Sequence, residues 1–164
     1  MTIERTRTIE RTETIEYARP SSTISIGRPG LQVALAGDAS ARTFPIVVRR
    51  PTLRDAQRAR SLLRAGVNDQ ANFVVALEVE AAIAPHPASA RASADLDDRP
   101  TVADEPETIR YVGTPHGLVS LIRDIYVAEI ADAVIIVPLD GSATTARVRE
   151  QVLPVLDPAR GRVA

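Results

Sequence analysis

Several residue types that carry chemistry are missing from this sequence. Its 164 residues include no cysteine, which excludes disulfides, thiolate nucleophiles and thiolate metal sites. All 20 basic residues are arginine, so a catalytic lysine Schiff base and the lysine of a phosphate-binding loop are also excluded. Aromatic residues make up only 3% of the chain. The core must therefore be built from Val, Ile, Leu and Ala.

Long apolar runs and an excess of charge are absent as well. No segment approaches the roughly 20 apolar residues of a membrane span, and the opening MTIERTRTIER lacks the apolar stretch of a secretory signal. The 20 basic and 21 acidic residues nearly cancel, which gives no electrostatic reason to expect nucleic acid or a membrane as a partner. We expect a cytoplasmic protein with one core-forming domain.

The chain begins with a repeat, which reads TIERTR, TIERTE and TIEYAR over Thr2–Arg19. Its period of six is a whole number of strand periods, so Ile3, Ile9 and Ile15 would share one face of an extended chain. We interpret residues 1–19 as an arm: a hairpin, a flexible segment or a strand that pairs with another subunit. DNA slippage that left a loosely ordered tail is the alternative. Residues 20–164 are then the main domain.

After Pro20 the pattern is that of alternating strands and helices. Four short apolar segments predict strands, and Thr52 and Thr114 are placed to cap helices, with Asp55 at the capping-box position after Thr52. Gly66 is a suitable stop for the first of these helices. The predicted strands are Leu31–Ala36, Pro45–Arg49, Phe73–Val79 and Ala133–Val137. A weak helix near Ala88–Leu96 lies within a Pro-rich loop (Pro85–Pro106), and a last helix is predicted from about Ser142 to Leu153.

Two stretches resemble the luciferase-like family of flavin-dependent monooxygenases. The first is GRPGLQVALAGDAS (Gly27–Ser40), followed by a strand and a helix that begins near PT. The second runs from YVGTPHG to the end of LPVLDPARGR (Tyr111–Arg162) and contains ADAVIIVP. The resemblance covers roughly Gly27–Arg162 in family order. It implies the α/β fold of a partial (half) TIM barrel, with about four parallel strands that correspond to strands five to eight.

The resemblance also implies a cofactor and the place where it binds. Barrel ligands lie at the carboxyl ends of the strands, and in the family the Ala-Gly-x-Ser turn helps to hold the flavin phosphate. Here the corresponding residues are Ala36, Gly37 and Ser40, with two residues between Gly37 and Ser40. Gly113 and Thr114 at a helix N-terminus are a second candidate cradle. The implied cofactor is FMN, with the deazaflavin F420 as an alternative, and the implied activity is oxygenation of a small organic substrate. For both turns an ordinary strand-to-helix connection is the alternative.

The chain also departs from the family. Strands one to four have no counterpart in it, only Ala41–Phe44 separates Ser40 from the next strand, and the lid before the closing motif is shortened to Arg99–Arg110. Asp38 falls close to the expected phosphate, and His116 and Gly117 replace the usual acidic residues. A flavin-binding or partner-binding half-barrel without catalysis, and an α/β interaction domain without a cofactor, therefore remain alternatives.

A half-barrel leaves two open strand edges and an uncovered interior face. We expect a homodimer that completes an eight-stranded barrel, or assembly with a luciferase-like partner subunit. The decisive geometric expectation is that four consecutive units lie side by side, with Leu31–Ala36 and Ala133–Val137 parallel in one sheet.

No catalytic residue can be named from the sequence. His86, between two prolines, is interpreted as a surface residue, and His116 lies in a first helical turn where a hydrogen bond to a ligand is conceivable. Two histidines in such different surroundings do not predict a metal site. Glu78 and Glu80 are interpreted as the solvated end of the third strand, with the mouth of the barrel as the alternative.

Overall fold

The computed structural model describes residues 27–95 and 107–157. Every strand pairing in this part of the chain is parallel, and the strands form one sheet. This confirms the α/β class and the parallel sheet of a partial barrel. The repeat over Thr2–Arg19, most of the lid and Arg162 lie outside the described residues. The strands are β1 (Gln32–Leu35), β2 (Ile46–Val48), β3 (Val75–Ile83), β4 (Ile109–Gly113) and β5 (Ala133–Pro138).

The order of the strands differs from the chain order of a barrel. The sheet runs β1-β5-β3-β2, and β4 lies beside the later half of β3. The first and last predicted strands are thus parallel neighbours, with Val33 opposite Val134, but β1 does not lie beside β2. The expectation of consecutive units side by side is wrong in this respect. Ala133–Ile136 of β5 are all buried, and so apolar a strand is best placed with neighbours on both edges.

Helices follow the strands as the capping residues predict. α1 (Leu53–Arg64) begins after Thr52, whose hydroxyl accepts from the Asp55 backbone N–H, and Gly66 has a φ of 84° just beyond its end. The Asp55 carboxylate accepts from the Thr52 hydroxyl at 2.7 Å. α2 spans Pro87–Asp95, and α3 spans Pro115–Val127 after Thr114.

The last helix is continuous but changes its winding twice. It consists of α4 (Ser142–Arg147), a π-helical segment (Val148–Val152) and α5 (Leu153–Leu156). Pro154 lacks a backbone N–H and cannot make the bond that a regular helix requires at that position. The Leu153 N–H instead bonds to the carbonyl five residues earlier, at Val148.

Most of the core lies on one face of the sheet. Alternate residues of the central strands β3 and β5, among them Leu77 and Ile136, share a cluster there with Leu118 and Ile122 of α3 and Val152 of the last helix. The opposite face carries a smaller cluster formed by Val74, Ala76, Ala133 and Ile135. Ala41 and Phe44 pack against it, from a 3₁₀ helix (Ala39–Thr43) and the residue that follows. Among the described residues, this short connection covers only part of the second face.

Two features of the sheet are absent from the sequence prediction. β3 continues through Ile83, four residues beyond its predicted end, so Glu78 and Glu80 lie within the strand rather than at its solvated end. β4 begins at the end of the predicted lid and continues into the predicted closing motif, and it pairs with β3 from Val79 to Ile83. β4 depends on this extension for its pairing, whereas the extension also pairs with β5 at Glu80 and Ala81.

Candidate functional site

The Ala36–Gly37 turn lies where β1 ends. The Ala36 N–H donates to the Ile136 carbonyl at 2.8 Å and so continues the β1–β5 pairing. Gly37 then adopts a φ of 93°, and a Cβ built on it would meet no atom within 4 Å. The glycine is therefore required by its backbone conformation, and the space beside it is open.

This turn borders a cavity of about 810 Å³. Typical small-molecule sites enclose ~300–1,000 Å³. The cavity lies around the edge of β2 that has no strand partner among the described residues, and it reaches the opposite face of the sheet, where Ile135 lies. Its apolar lining comes from the 3₁₀ helix, β2, α1 and β5, and consists of Ala41, Ile46, Val47, Val48, Ala59, Leu62, Leu63 and Ile135.

The charged lining of the cavity is mainly basic. Arg42, Arg49 and Arg50 line it together with a single carboxylate, that of Glu78. The Arg49 guanidinium donates to both carboxylate oxygens of Glu78, in one case at 3.1 Å from Nη2 to Oε1. This hydrogen bond, followed by the negative charge of Glu78, raises the pKa of Arg49 above its usual value. A charge-assisted ion pair thus forms part of the wall.

The position of Asp38 in the sequence suggests that its carboxylate would repel an anion bound at this turn. The structure does not show this conflict. The Asp38 carboxylate accepts from Arg149 Nη2 at 2.8 Å, so it points toward a cation of the last helix. The expected conflict between Asp38 and a phosphate is relieved by this pair.

Ser40, the third residue of the predicted turn, does not line this cavity. It borders a smaller pocket beside β1, of about 320 Å³, with Gln32 and Thr43. Its backbone carbonyl accepts from the Thr43 hydroxyl at 2.7 Å. The structure therefore places Ala36 and Gly37 at one cavity and Ser40 at another.

The second predicted cradle, Gly113 and Thr114, lies at the end of β4. β5 and β3 separate this strand from β1 in the sheet, and neither residue lines the large cavity. The Thr114 hydroxyl accepts from the Gly117 N–H at 3.2 Å as a helix cap. The Tyr111 hydroxyl donates to the Thr114 carbonyl at 3.0 Å. The predicted residues are therefore not brought together in one site.

Tyr111 explains why two glycines flank this cap. A Cβ on Gly113 would lie 2.6 Å from the Tyr111 hydroxyl, and a Cβ on Gly117 only 2.0 Å from it. Real Cβ atoms essentially never approach so closely. The two glycines leave room for this tyrosine.

A cluster of buried charge escaped the sequence prediction. The Asp132 side chain is fully buried at the amino end of β5 and accepts from Arg60 Nη2 at 2.9 Å, Arg64 Nη1 at 3.1 Å and the Val75 N–H at 3.2 Å. Burial alone acts to raise the pKa of Asp132, but the bonds and charges of these partners outweigh it and hold that pKa below its usual value. Arg60 and Arg64 are four residues apart on α1, a spacing that places both on one helix face.

Arg28 of the GRPG segment joins the same cluster. Its Nε lies 3.4 Å from Asp132 Oδ1, and its guanidinium stacks on the Tyr126 ring, 3.8 Å from the centroid. The Tyr126 hydroxyl in turn donates to the Pro29 carbonyl at 2.9 Å. This part of the family-like motif therefore connects the start of β1 to α3.

Asp140 lies at the opposite end of β5, the carboxyl end. Its Oδ1 accepts from the Thr144 N–H at 3.0 Å, whereas its Oδ2 is buried and accepts no hydrogen bond. Buried polar atoms without a partner are rare. Asp140 therefore has one unpaired carboxylate oxygen at the carboxyl end of β5. The sequence prediction did not single out this residue.

Within residues 27–95 and 107–157, no helix has the length and apolar character to cross a membrane. The same part of the chain contains no group of three His, Cys, Asp or Glu side chains that is suited to hold a metal ion. His86 and His116 are both exposed and lie on different elements, in the loop after β3 and in the first turn of α3.

Comparison with known proteins supports the fold alone. No protein-family model matches the chain, and no curated protein is similar to it in sequence. Among solved structures, the chain is similar to riboflavin lyase (RcaE), determined with modified FMN and its substrate riboflavin, at 16% identity and a TM-score of 0.51. The match covers 82% of this chain but only 43% of that one. The similarity is one of fold.

Proposed function

We propose that this chain is a luciferase-like flavin-binding module whose ligand occupies the cavity beside the Ala36–Gly37 turn. The observation that carries the proposal is the position of this cavity. Ala36 and Gly37, at the carboxyl end of β1, form part of its wall, and they belong to one of the two predicted phosphate turns. A fold similar to that of a structure containing modified FMN supports the same assignment.

The lining residues fit a flavin. The side chains of Ile46, Val47 and Ile135 offer apolar surface for a planar ring system, and Gly37 leaves its backbone open to close approach. The guanidinium groups of the cavity suit the anionic end of FMN. FMN is the preferred cofactor, and F420 is the alternative that the same chemistry admits.

The proposed reaction is oxygenation of a small organic substrate. A bound reduced flavin would supply the reaction with molecular oxygen. The contribution of this chain is to orient the ring against the apolar wall and to exclude water with the 3₁₀ helix, which covers the neighbouring sheet face at Ala41 and Phe44. Gly113 and Thr114 remain a second proposed position for an anionic group.

We also propose that the module works as a homodimer, or with a luciferase-like partner subunit. Parallel sheets are ordinarily covered on both faces, and here the second face is only partly covered. The free edge of β2 is flanked by three of the exposed large apolar side chains: Val47, Leu62 and Leu63. A second subunit on this side would enclose the cavity.

Flavin titration tests the proposal directly. The purified chain is titrated with FMN by flavin fluorescence and by calorimetry, alongside Val47→Trp, which fills the cavity wall, and Val127→Trp, an exposed position on α3. We expect micromolar binding to the parent chain and to Val127→Trp, and affinity at least tenfold lower for Val47→Trp. Absence of binding by FMN and F420 would overturn the proposal and favour an interaction domain. Equal affinity in all three proteins would show that the flavin binds outside this cavity. Oxygen consumption with a flavin reductase then separates a monooxygenase from a binder.

A further inference from the structure

The arginines around the cavity carry an inference about which flavin it takes. We propose that Arg42 and Arg50 are specificity-determining residues that select a phosphorylated flavin over the uncharged riboflavin. The inference rests on the proposed function, since it concerns the ligand of the same cavity. It differs from the sequence prediction, which assigned the phosphate to the backbone and hydroxyl of the Ala-Gly-x-Ser turn.

The first step is the charge of the cavity wall. Three arginines and one glutamate line it, so its charged side chains carry a net charge of two positive. Arg49 is held by Glu78 through two hydrogen bonds, and this pair is neutral as a unit. The unbalanced positive charge therefore belongs to Arg42 and Arg50.

The second step is the availability of these two side chains. Among the described residues, Arg42 takes part in no ion pair and no side-chain hydrogen bond. Arg50 donates only to the carbonyl of its neighbour Arg49, at 2.7 Å, which leaves its charge without an acidic partner. Most other arginines that contact the core are engaged, as Arg60 and Arg64 are with Asp132. Two guanidinium groups with free donors are thus left at one cavity.

The third step is the distribution of acidic groups nearby. Asp38, the carboxylate closest in sequence to Gly37, is paired with Arg149, and Glu78 is paired with Arg49. An anion in the cavity would therefore meet cations whose charge is not already neutralised. A guanidinium recognises phosphate oxygens through several donors at once.

Ser40 is the residue that this assignment replaces. Its side chain belongs to the separate pocket beside β1, so it does not supply the hydroxyl expected for the phosphate. Arg42 follows two residues later on the same 3₁₀ helix and does line the cavity. The positive charge that would bind the phosphate is then carried by Arg42 on this helix and by Arg50 after β2.

The test compares FMN with riboflavin on the intact chain. Dissociation constants for both are measured by fluorescence titration for the parent protein, Arg42→Gln, Arg50→Gln, the double variant and Arg123→Gln, an exposed arginine of α3 outside the cavity. We expect FMN to bind at least tenfold more tightly than riboflavin, a preference that each single variant reduces and the double variant abolishes. Riboflavin affinity should stay within about twofold throughout, and Arg123→Gln should behave like the parent.

Three further readouts separate a charge effect from a loss of structure. Added salt should weaken FMN binding but not riboflavin binding, because screening acts on the phosphate contact. Inorganic phosphate should compete with FMN and leave riboflavin unaffected. Thermal melting of each variant checks that its fold is retained.

The failures of the two proposals are distinguishable. Equal affinity for FMN and riboflavin, or an equal loss of both in Arg42→Gln and Arg50→Gln, overturns the selectivity while flavin binding stands. Binding of neither flavin overturns the proposed function and this inference with it.

Discussion

At the scale of single residues, the amino ends and the carboxyl ends of the strands have different roles. Asp132 and its arginines lie at the amino ends of the strands, whereas Gly37, which borders the cavity, lies at the carboxyl end of β1. In α/β barrels, residues at the amino ends serve stability and those at the carboxyl ends serve function. We therefore assign Asp132 to stability, although its burial and its shifted pKa are features often associated with active sites.

Removal of the Asp132 charge tests this assignment. Asp132→Asn leaves Arg60 and Arg64 close together without their carboxylate, and breaking one partner of a buried pair typically costs about 3–5 kcal/mol. We expect a loss of that size in the free energy of unfolding, measured by urea denaturation. Asp124→Asn, an exposed position on α3, is the control and should change it little. Flavin affinity of the folded variant should be unchanged.

The same variant reveals the pH dependence of this cluster. Because the pKa of Asp132 is lowered in the folded state, its contribution is fully present above the unfolded value of roughly 4 and is lost as the pH falls toward the folded value. The stability difference between the parent chain and Asp132→Asn should therefore shrink as the pH falls below about 4. A difference that stays constant down to the acid unfolding of the parent would contradict the lowered pKa.

At the scale of elements, helix starts are the best-predicted features. Thr52 and Thr114 cap α1 and α3 as expected, because capping depends on residues close together in sequence. β4 was not predicted, because IRYVG follows a Pro- and Asp-rich stretch and pairs only with the unpredicted end of β3. Its formation depends on a partner distant in sequence, which a local pattern does not contain.

Comparing substitutions of the two capping threonines tests whether Thr114 contacts the phosphate. Thr52→Ala and Thr114→Ala each remove a hydroxyl that accepts from a first-turn N–H, so each should cost about 1 kcal/mol of stability. With the flavin in the cavity beside Gly37, neither change should alter FMN affinity, as measured by fluorescence titration. A tenfold loss confined to Thr114→Ala would instead place the phosphate at the Gly113–Thr114 cradle.

At the scale of the whole molecule, the sequence predicted the sheet but not its order. Each predicted strand is present and parallel, because apolar runs and intervening helices are read locally. The insertion of β5 between β1 and β3 is a property of the packed sheet. This order separates the two glycine turns by two strands, which is why residues that share a motif pattern do not share a site. The cavity itself lies around the edge of β2, and no pattern in the sequence of that strand predicts a cavity.

That free edge leads to the prediction about assembly. The Leu62 side chain is 76% exposed beside β2, and a second subunit seated here would bury it together with Val47 and Leu63. Leu62→Asp should therefore convert a dimer to monomer in sedimentation velocity at micromolar concentration, because a buried unpaired charge opposes association. Val127→Asp, at a 75% exposed position on α3, should leave the dimer intact.

Since a subunit on this side also closes the cavity, FMN should strengthen dimerisation of the parent chain through linkage. A parent chain that remains monomeric with and without FMN would show that the cavity stays open, and any flavin would then bind to a single subunit.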